Sequence, residues 1–104
     1  MKTVLKAIAL TALTSTIAYA MPASDYSIRV NADRNRADVT VLKAGEPAKD
    51  VSVKVIGNGT KTYVTGSNGT FMAANLFDNG RSFTFEITDE NGQVVREQRY
   101  LSSF

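Results

Sequence analysis

Four Asn-Gly dipeptides, Asn58-Gly59, Asn68-Gly69, Asn79-Gly80 and Asn91-Gly92, recur ten, eleven and twelve residues apart. Short runs rich in Val, Ile, Phe, Thr and Tyr lie between them. Asn and Gly tolerate positive φ, so the pair suits both central positions of a type I′ hairpin turn, whose twist matches the strands it joins. Turn signals at this spacing, separated by β-branched and aromatic residues, predict an all-β domain.

The runs themselves have the period of strands that are wet on one face. Tyr26, Ile28 and Val30 alternate with Ser27, Arg29 and Asn31, and Asp33-Arg34-Asn35-Arg36 follows as a polar turn. Val39 and Val41 resume the alternation until Ala44-Gly45-Glu46-Pro47 breaks it, because Pro cannot donate to a ladder. Val51, Val53 and Val55 form the cleanest strand. After it come Lys61 to Thr65, Thr70 to Leu76, Phe83 to Thr88, and Gln93 to Leu101. The tally is about seven strands. Alternate rather than continuous apolar residues predict antiparallel sheets packed face to face over one core. The small Ala73-Ala74 pair marks an expected crowded crossing.

The first twenty residues follow other rules. Lys2 and Lys6 precede an apolar stretch from Ala7 to Leu13, and Ala18-Tyr19-Ala20 has the small-x-small form that precedes a signal-peptidase site. Residues 1–20 therefore read as a signal peptide cleaved after Ala20, and residues 21–104 as one domain. Lys6, Thr11, Thr14, Ser15 and Thr16 interrupt the apolar run too often for a membrane span. The expected location is the periplasm or the exterior.

Processing also changes the charge. Twelve Lys plus Arg stand against ten Asp plus Glu, and two of the lysines lie in the leader. The mature chain is formally neutral, which speaks against nucleic acid or an anionic membrane surface as partner. With no Cys in the chain, no disulfide supports a domain of this size, so stability falls to the packed sheets or to a partner.

From Ala37 to Leu101 the order of features resembles the prealbumin-like β-sandwich group: carboxypeptidase regulatory-like, collagen-adhesin B-type and transthyretin-like domains. The resemblance is carried by Ala37 to Val41, by Gly45-Glu46-Pro47 running into Val51-Ser52-Val53, and by Thr62-Tyr63-Val64-Thr65 leading to Ser67-Asn68-Gly69-Thr70-Phe71. Asn79-Gly80 before Phe83-Thr84-Phe85-Glu86-Ile87 completes it. It implies a Greek-key sandwich used as an add-on that binds glycans, peptides or neighbouring domains.

The same resemblance implies two chemistries that this chain does not match. Some relatives hydrolyse a purine breakdown product with His and Arg and a Tyr-Arg-Gly-Ser tail; this chain has no His and ends Arg99-Tyr100-Leu101-Ser102-Ser103-Phe104. Some collagen-adhesin domains join a Lys to an Asn of the last strand beside a carboxylate. Lys43 or Lys54 could serve as amine and Glu86 as carboxylate, but Asn91 lies only at the turn before the final strand.

Without Cys or His, the usual nucleophiles, bases and transition-metal ligands are missing, and no Ser sits in a nucleophile elbow or Ser-x-x-Lys spacing. Asp89-Glu90-Asn91-Gly92 offers oxygen ligands to calcium but lacks the spaced carboxylates of an EF-hand loop, and it reads as a hairpin tip. The expectation is a non-catalytic module without a cofactor that binds a protein or a glycan. The alternative is a structural subunit of a surface assembly in which an edge strand accepts a partner strand. The expected ligand residues are Tyr63 and Lys61. Thr62 and Val64 are assigned to the inner face, which leaves Tyr63 outward as an aromatic platform.

Overall fold

The computed structural model describes residues 23–57 and 59–104. The expected leader, with its cleavage motif at Ala18 and Ala20, lies outside the described residues, as does Asn58. Every element among those described is a strand: β1 (Tyr26–Asp33), β2 (Arg36–Lys43), β3 (Glu46–Pro47), β4 (Ser52–Gly57), β5 (Gly59–Val64), β6 (Thr70–Ala74), β7 (Arg81–Thr88) and β8 (Val94–Leu101). No helix among them is long and apolar enough to cross a membrane.

The strands form two antiparallel sheets. In one, β1 pairs with β2, and the other edge of β2 is shared by β3 and β6. In the other the order is β5-β4-β7-β8. Ile28, Ala37, Val39, Val41 and Ala73 from the first sheet meet Val53, Val55, Phe83, Phe85, Ile87 and Leu101 from the second in one buried core, a sandwich-like arrangement. Each of the Val, Ile, Leu and Phe side chains among them, fully removed from water, contributes about 1.5–3 kcal/mol against the entropy of ordering the chain, and each alanine methyl less. Alternation along the strands puts these residues on inner faces, as the sequence predicts. Ala73 lies opposite Ala37, 3% and 0% exposed, as buried neighbours in the antiparallel pairing of β6 with β2.

The eighth strand, β3, falls within the stretch read as a break. Ala44 and Gly45 have φ of 52° and 85°, so the left-handed pair that a type I′ hairpin requires occurs here and folds Glu46–Pro47 back on β2. At Asn68-Gly69 and Asn91-Gly92 only the glycine has positive φ, and at Asn79-Gly80 neither residue does. Those dipeptides mark turns of other kinds. Gly69 sits where β3 and β6 adjoin on β2: its carbonyl accepts from Val41 N–H at 2.8 Å, and a Cβ on it would lie 2.8 Å from the Ala48 nitrogen. With φ at +76°, the position suits glycine alone.

Two buried polar side chains close the ends of the sandwich. Thr65 Oγ1–H donates to the Ala48 carbonyl at 2.6 Å while Oγ1 accepts from Val51 N–H at 3.0 Å. At the other end Asn75 Nδ2 donates to the carbonyls of Asn79, Leu101 and Ser102, and its Oδ1 accepts from Phe77 N–H.

Candidate functional site

The two long sides of the sandwich differ. On one side β1 lies against β8. Inner-face positions of β8 carry Glu97 and Arg99, which pair with each other. Inward charges on an edge strand are a common means of keeping other strands from adding there. On the opposite side β5 and β6 are the sheet edges, and the space between them is open as an apolar groove of about 160 Å³.

The groove is built from register. The tight β4–β5 hairpin sets Gly57 opposite Gly59, which places Lys61 opposite Val55 and Tyr63 opposite Val53, both on the inner side. The Tyr63 ring stacks on Phe71 of β6 at 5.0 Å and 18°, and Phe71 in turn lies 6.5 Å from Phe85 in the core. This stack ties the two edges together beside the groove. Val55 and Phe83 form its inner wall, and Met72, Ala73 and Leu76 its other side. Met72 is 54% and Leu76 63% exposed, an unusual apolar rim for a surface.

These positions correct the expected outward Tyr63. Val64 is the exposed residue, at 56%, and Tyr63 is half-buried with one ring face covered by Phe71. A one-residue change of register exchanges the faces of a strand, and the turn decides the register. Tyr63 and Lys61 do line one cavity, as the sequence groups them, but as wall and lip of a groove rather than as a flat platform. Met72, Leu76 and Phe83 were not singled out from sequence. Their signal was weak, since only the juxtaposition of β5 and β6 gives them a common surface.

The remaining candidates are engaged in local structure. Asp89 Oδ1 accepts from the backbone N–H of Asn91 and of Gln93, both at 2.9 Å, and so shapes the β7–β8 turn. Glu90 pairs with Lys43 at 3.6 Å, and the Lys43 ammonium lies 5.3 Å from the Tyr26 ring centre. Lys54 is exposed on the outer face opposite Glu86, whose carboxylate holds Arg96 at 2.6 Å. A buried Lys–Asn–Glu crosslinking site is not formed by these groups. Among the described residues no cluster of three His, Cys, Asp or Glu is placed to hold a metal.

The Asp89 carboxyl titrates below its usual range. Partial desolvation opposes ionisation, but it is outweighed by hydrogen bonding to Ser24 and to the Gln93 and Asn91 backbone, with Lys43 adding attraction. A depressed carboxylate contributes stability at pH above the ordinary range, and the contribution drains away as pH falls through the lowered value. Asp89→Asn keeps an oxygen acceptor and removes the titration. Thermal midpoints measured between about pH 2 and 5 should then fall less steeply with acid than in the wild type.

No family model matches the chain, and neither a curated protein nor a solved structure is significantly similar to it.

Proposed function

We propose that this protein is an exported, non-catalytic binding module of prealbumin-like, Greek-key type whose ligand is an extended segment of polypeptide held along the open β5–β6 side. The observation that carries the reading is the apolar groove beside an unpaired strand edge, in a molecule whose other long side is shut by β1, β8 and inward charges. Export rests on the leader pattern of Met1 to Ala20.

Size and lining argue for peptide over glycan. A cavity of about 150 Å³ holds one benzene ring, so about 160 Å³ takes one apolar side chain, well short of the several hundred Å³ typical of small-molecule sites. A sugar would need many hydrogen-bond partners, and the groove offers two polar side chains, the Lys61 ammonium and the Tyr63 hydroxyl. Strand addition supplies the rest: edge backbone groups give affinity, and a pocket for an alternate side chain gives selectivity. The same two polar groups lack a paired acid and base, which supports binding without catalysis.

A direct test is backbone amide NMR of the folded protein titrated with strand-forming peptides that carry a single Leu. Shifts confined to β5, β6 and Leu76, lost in Leu76→Lys, are the expected outcome. Shifts confined to β1 and β8, or none with any peptide, would sink the reading. A second reading, a subunit of a surface assembly, is favoured by Leu76, Phe77 and the 82%-exposed Phe104. It predicts concentration-dependent growth in sedimentation velocity.

A further inference from the structure

We infer that the segment taken by the groove is acidic as well as apolar, with a carboxylate and an apolar side chain two positions apart in one strand. This inference rests on the groove being the binding site and adds the chemistry of the occupant. Among the described residues, Lys61 is the one charged residue lining the groove, and no carboxylate lines it. Among the described residues Lys61 makes no ion pair, as is true also of Arg29, Arg34, Lys49, Lys54 and Arg81, while Lys43, Arg36, Arg96 and Arg99 each have an acidic partner.

A second cation, Arg81, lies over Phe77, the residue that follows Leu76. The Arg81 guanidinium stacks 3.8 Å over Phe77, and its Nη1 and Nη2 donate to the Gly57 carbonyl and to Asn79 Oδ1. It too lacks a carboxylate among the described residues. Gly57, in turn, faces the Phe83 ring that forms the inner wall. The groove is therefore an apolar slot with unneutralised positive charge at its lip and near its end. In a formally neutral mature chain, that local imbalance calls for negative charge from outside.

Register gives the spacing. β5 ends its sheet, so a strand added there has residues opposite Lys61 and opposite Tyr63 that are two apart and on one face. The position opposite Tyr63 lies beside the Tyr63–Phe71 stack, at the edge of the apolar slot. The position opposite Lys61 meets the ammonium as a cross-strand pair, the arrangement in which opposite charges stabilise and like charges destabilise. The fitting ligand thus reads acid-x-apolar or apolar-x-acid, according to strand direction.

A lysine on a sheet edge can also serve only to repel other strands, and the experiment separates the two roles. A fluorescent Thr-rich peptide carrying Asp and Leu two positions apart is titrated against the full folded protein, beside versions with Asn or Lys for Asp and with Ser for Leu. Exposed cross-strand ion pairs reach about 1 kcal/mol, so Asp should bind up to about fivefold tighter than Asn and lose that margin in high salt. Lys61→Glu should reverse the order, so that the Lys peptide binds tightest. Ser for Leu should weaken binding at least tenfold, from the lost burial of one aliphatic side chain.

If the Asp, Asn and Lys peptides bind alike while Ser for Leu still weakens binding, the acidic specificity is overturned and the groove stands. If Ser for Leu changes nothing, the groove reading itself falls. A guard role alone predicts that Lys61→Glu behaves as wild type toward every peptide, which also overturns the inference. Lys61 is exposed, so an unchanged melting curve verifies that the variant is folded.

Discussion

Asn75→Ala is expected to lower stability by about 3–5 kcal/mol, close to the whole of what a small domain possesses. Asn75 is fully buried. Its amide donates to Asn79 at 2.9 Å, Leu101 at 3.3 Å and Ser102 at 3.0 Å, its oxygen accepts from Phe77 N–H at 3.0 Å, and its backbone N–H donates to the Asn35 carbonyl at 2.7 Å. Asn35 Nδ2 returns a bond to the Asn75 carbonyl, and Ser102 N–H donates to the Arg34 carbonyl. The side chain thereby joins the β6–β7 connection to the end of β8 and its tail, while the backbone of the same residue holds the β1–β2 turn. Alanine leaves the backbone bonds intact but takes the partner from one N–H and from three carbonyls that share the amide's two protons, and at the lower end of the roughly 1–3 kcal/mol that a lost partner costs this comes to about 3–5 kcal/mol. In a domain of this size the thermal midpoint should fall by roughly 15–30 °C, measured by circular dichroism. Asn75→Asp is the informative partner. It retains the acceptor for Phe77, removes the donors and buries a charge, so it should be worse than alanine at neutral pH and recover in acid as the carboxyl protonates. A midpoint within a few degrees of wild type for Asn75→Ala would show that water fills the site.

The hub also shows what a sequence can and cannot reveal. Strand positions were legible because apolar alternation is a local property: Ile28, Val39, Val41, Val53, Val55, Phe83, Phe85 and Ile87 all occupy the inner faces that the period of two assigns them. Asn75 was not legible, because its value lies in partners 26, 27 and 40 positions away. The Asn-Gly dipeptides were read correctly as punctuation, and at Asn68-Gly69, Asn79-Gly80 and Asn91-Gly92 too narrowly as type I′ turns. The paired positive φ of a type I′ turn occurs at Ala44-Gly45, where an alanine takes φ of 52° because the short β2–β3 pairing demands it. Tyr63 and Lys61 both line the groove, but on the inner face rather than the outer one expected for Tyr63. Thr62 and Val64 have the β-propensity of core residues, but the hairpin at Gly57–Gly59 fixes the register and leaves Val64 in water. The groove itself could not be read at all, since it exists only where the edges of two sheets come side by side.

Phe85→Ala is the other large effect and reaches from the core to the groove. Phe85 is fully buried at the centre of β7, opposite Val55 of β4 and Glu97 of β8, with its ring 6.5 Å from Phe71 at a tilt of 51°. Truncating such a ring removes its transfer free energy and leaves a cavity, about 3–5 kcal/mol together. Guanidinium unfolding should show a lower midpoint with the slope preserved, because the surface exposed on unfolding hardly changes. On the proposed peptide-binding reading, the consequence for the groove runs through Phe71. With its core support gone, Phe71 can sink toward the vacated space and part from Tyr63, which it contacts at 5.0 Å. The stack beside the groove then loosens, and Leu-bearing peptides should bind more weakly even at temperatures where the variant is fully folded. Phe85→Leu keeps most of the volume and should cost distinctly less stability. It should also retain peptide binding near the wild-type level. If the alanine variant, shown to be folded, binds such peptides as tightly as wild type, Tyr63 and Phe71 hold their geometry without the core behind them, and the groove owes its shape to the two edge strands alone.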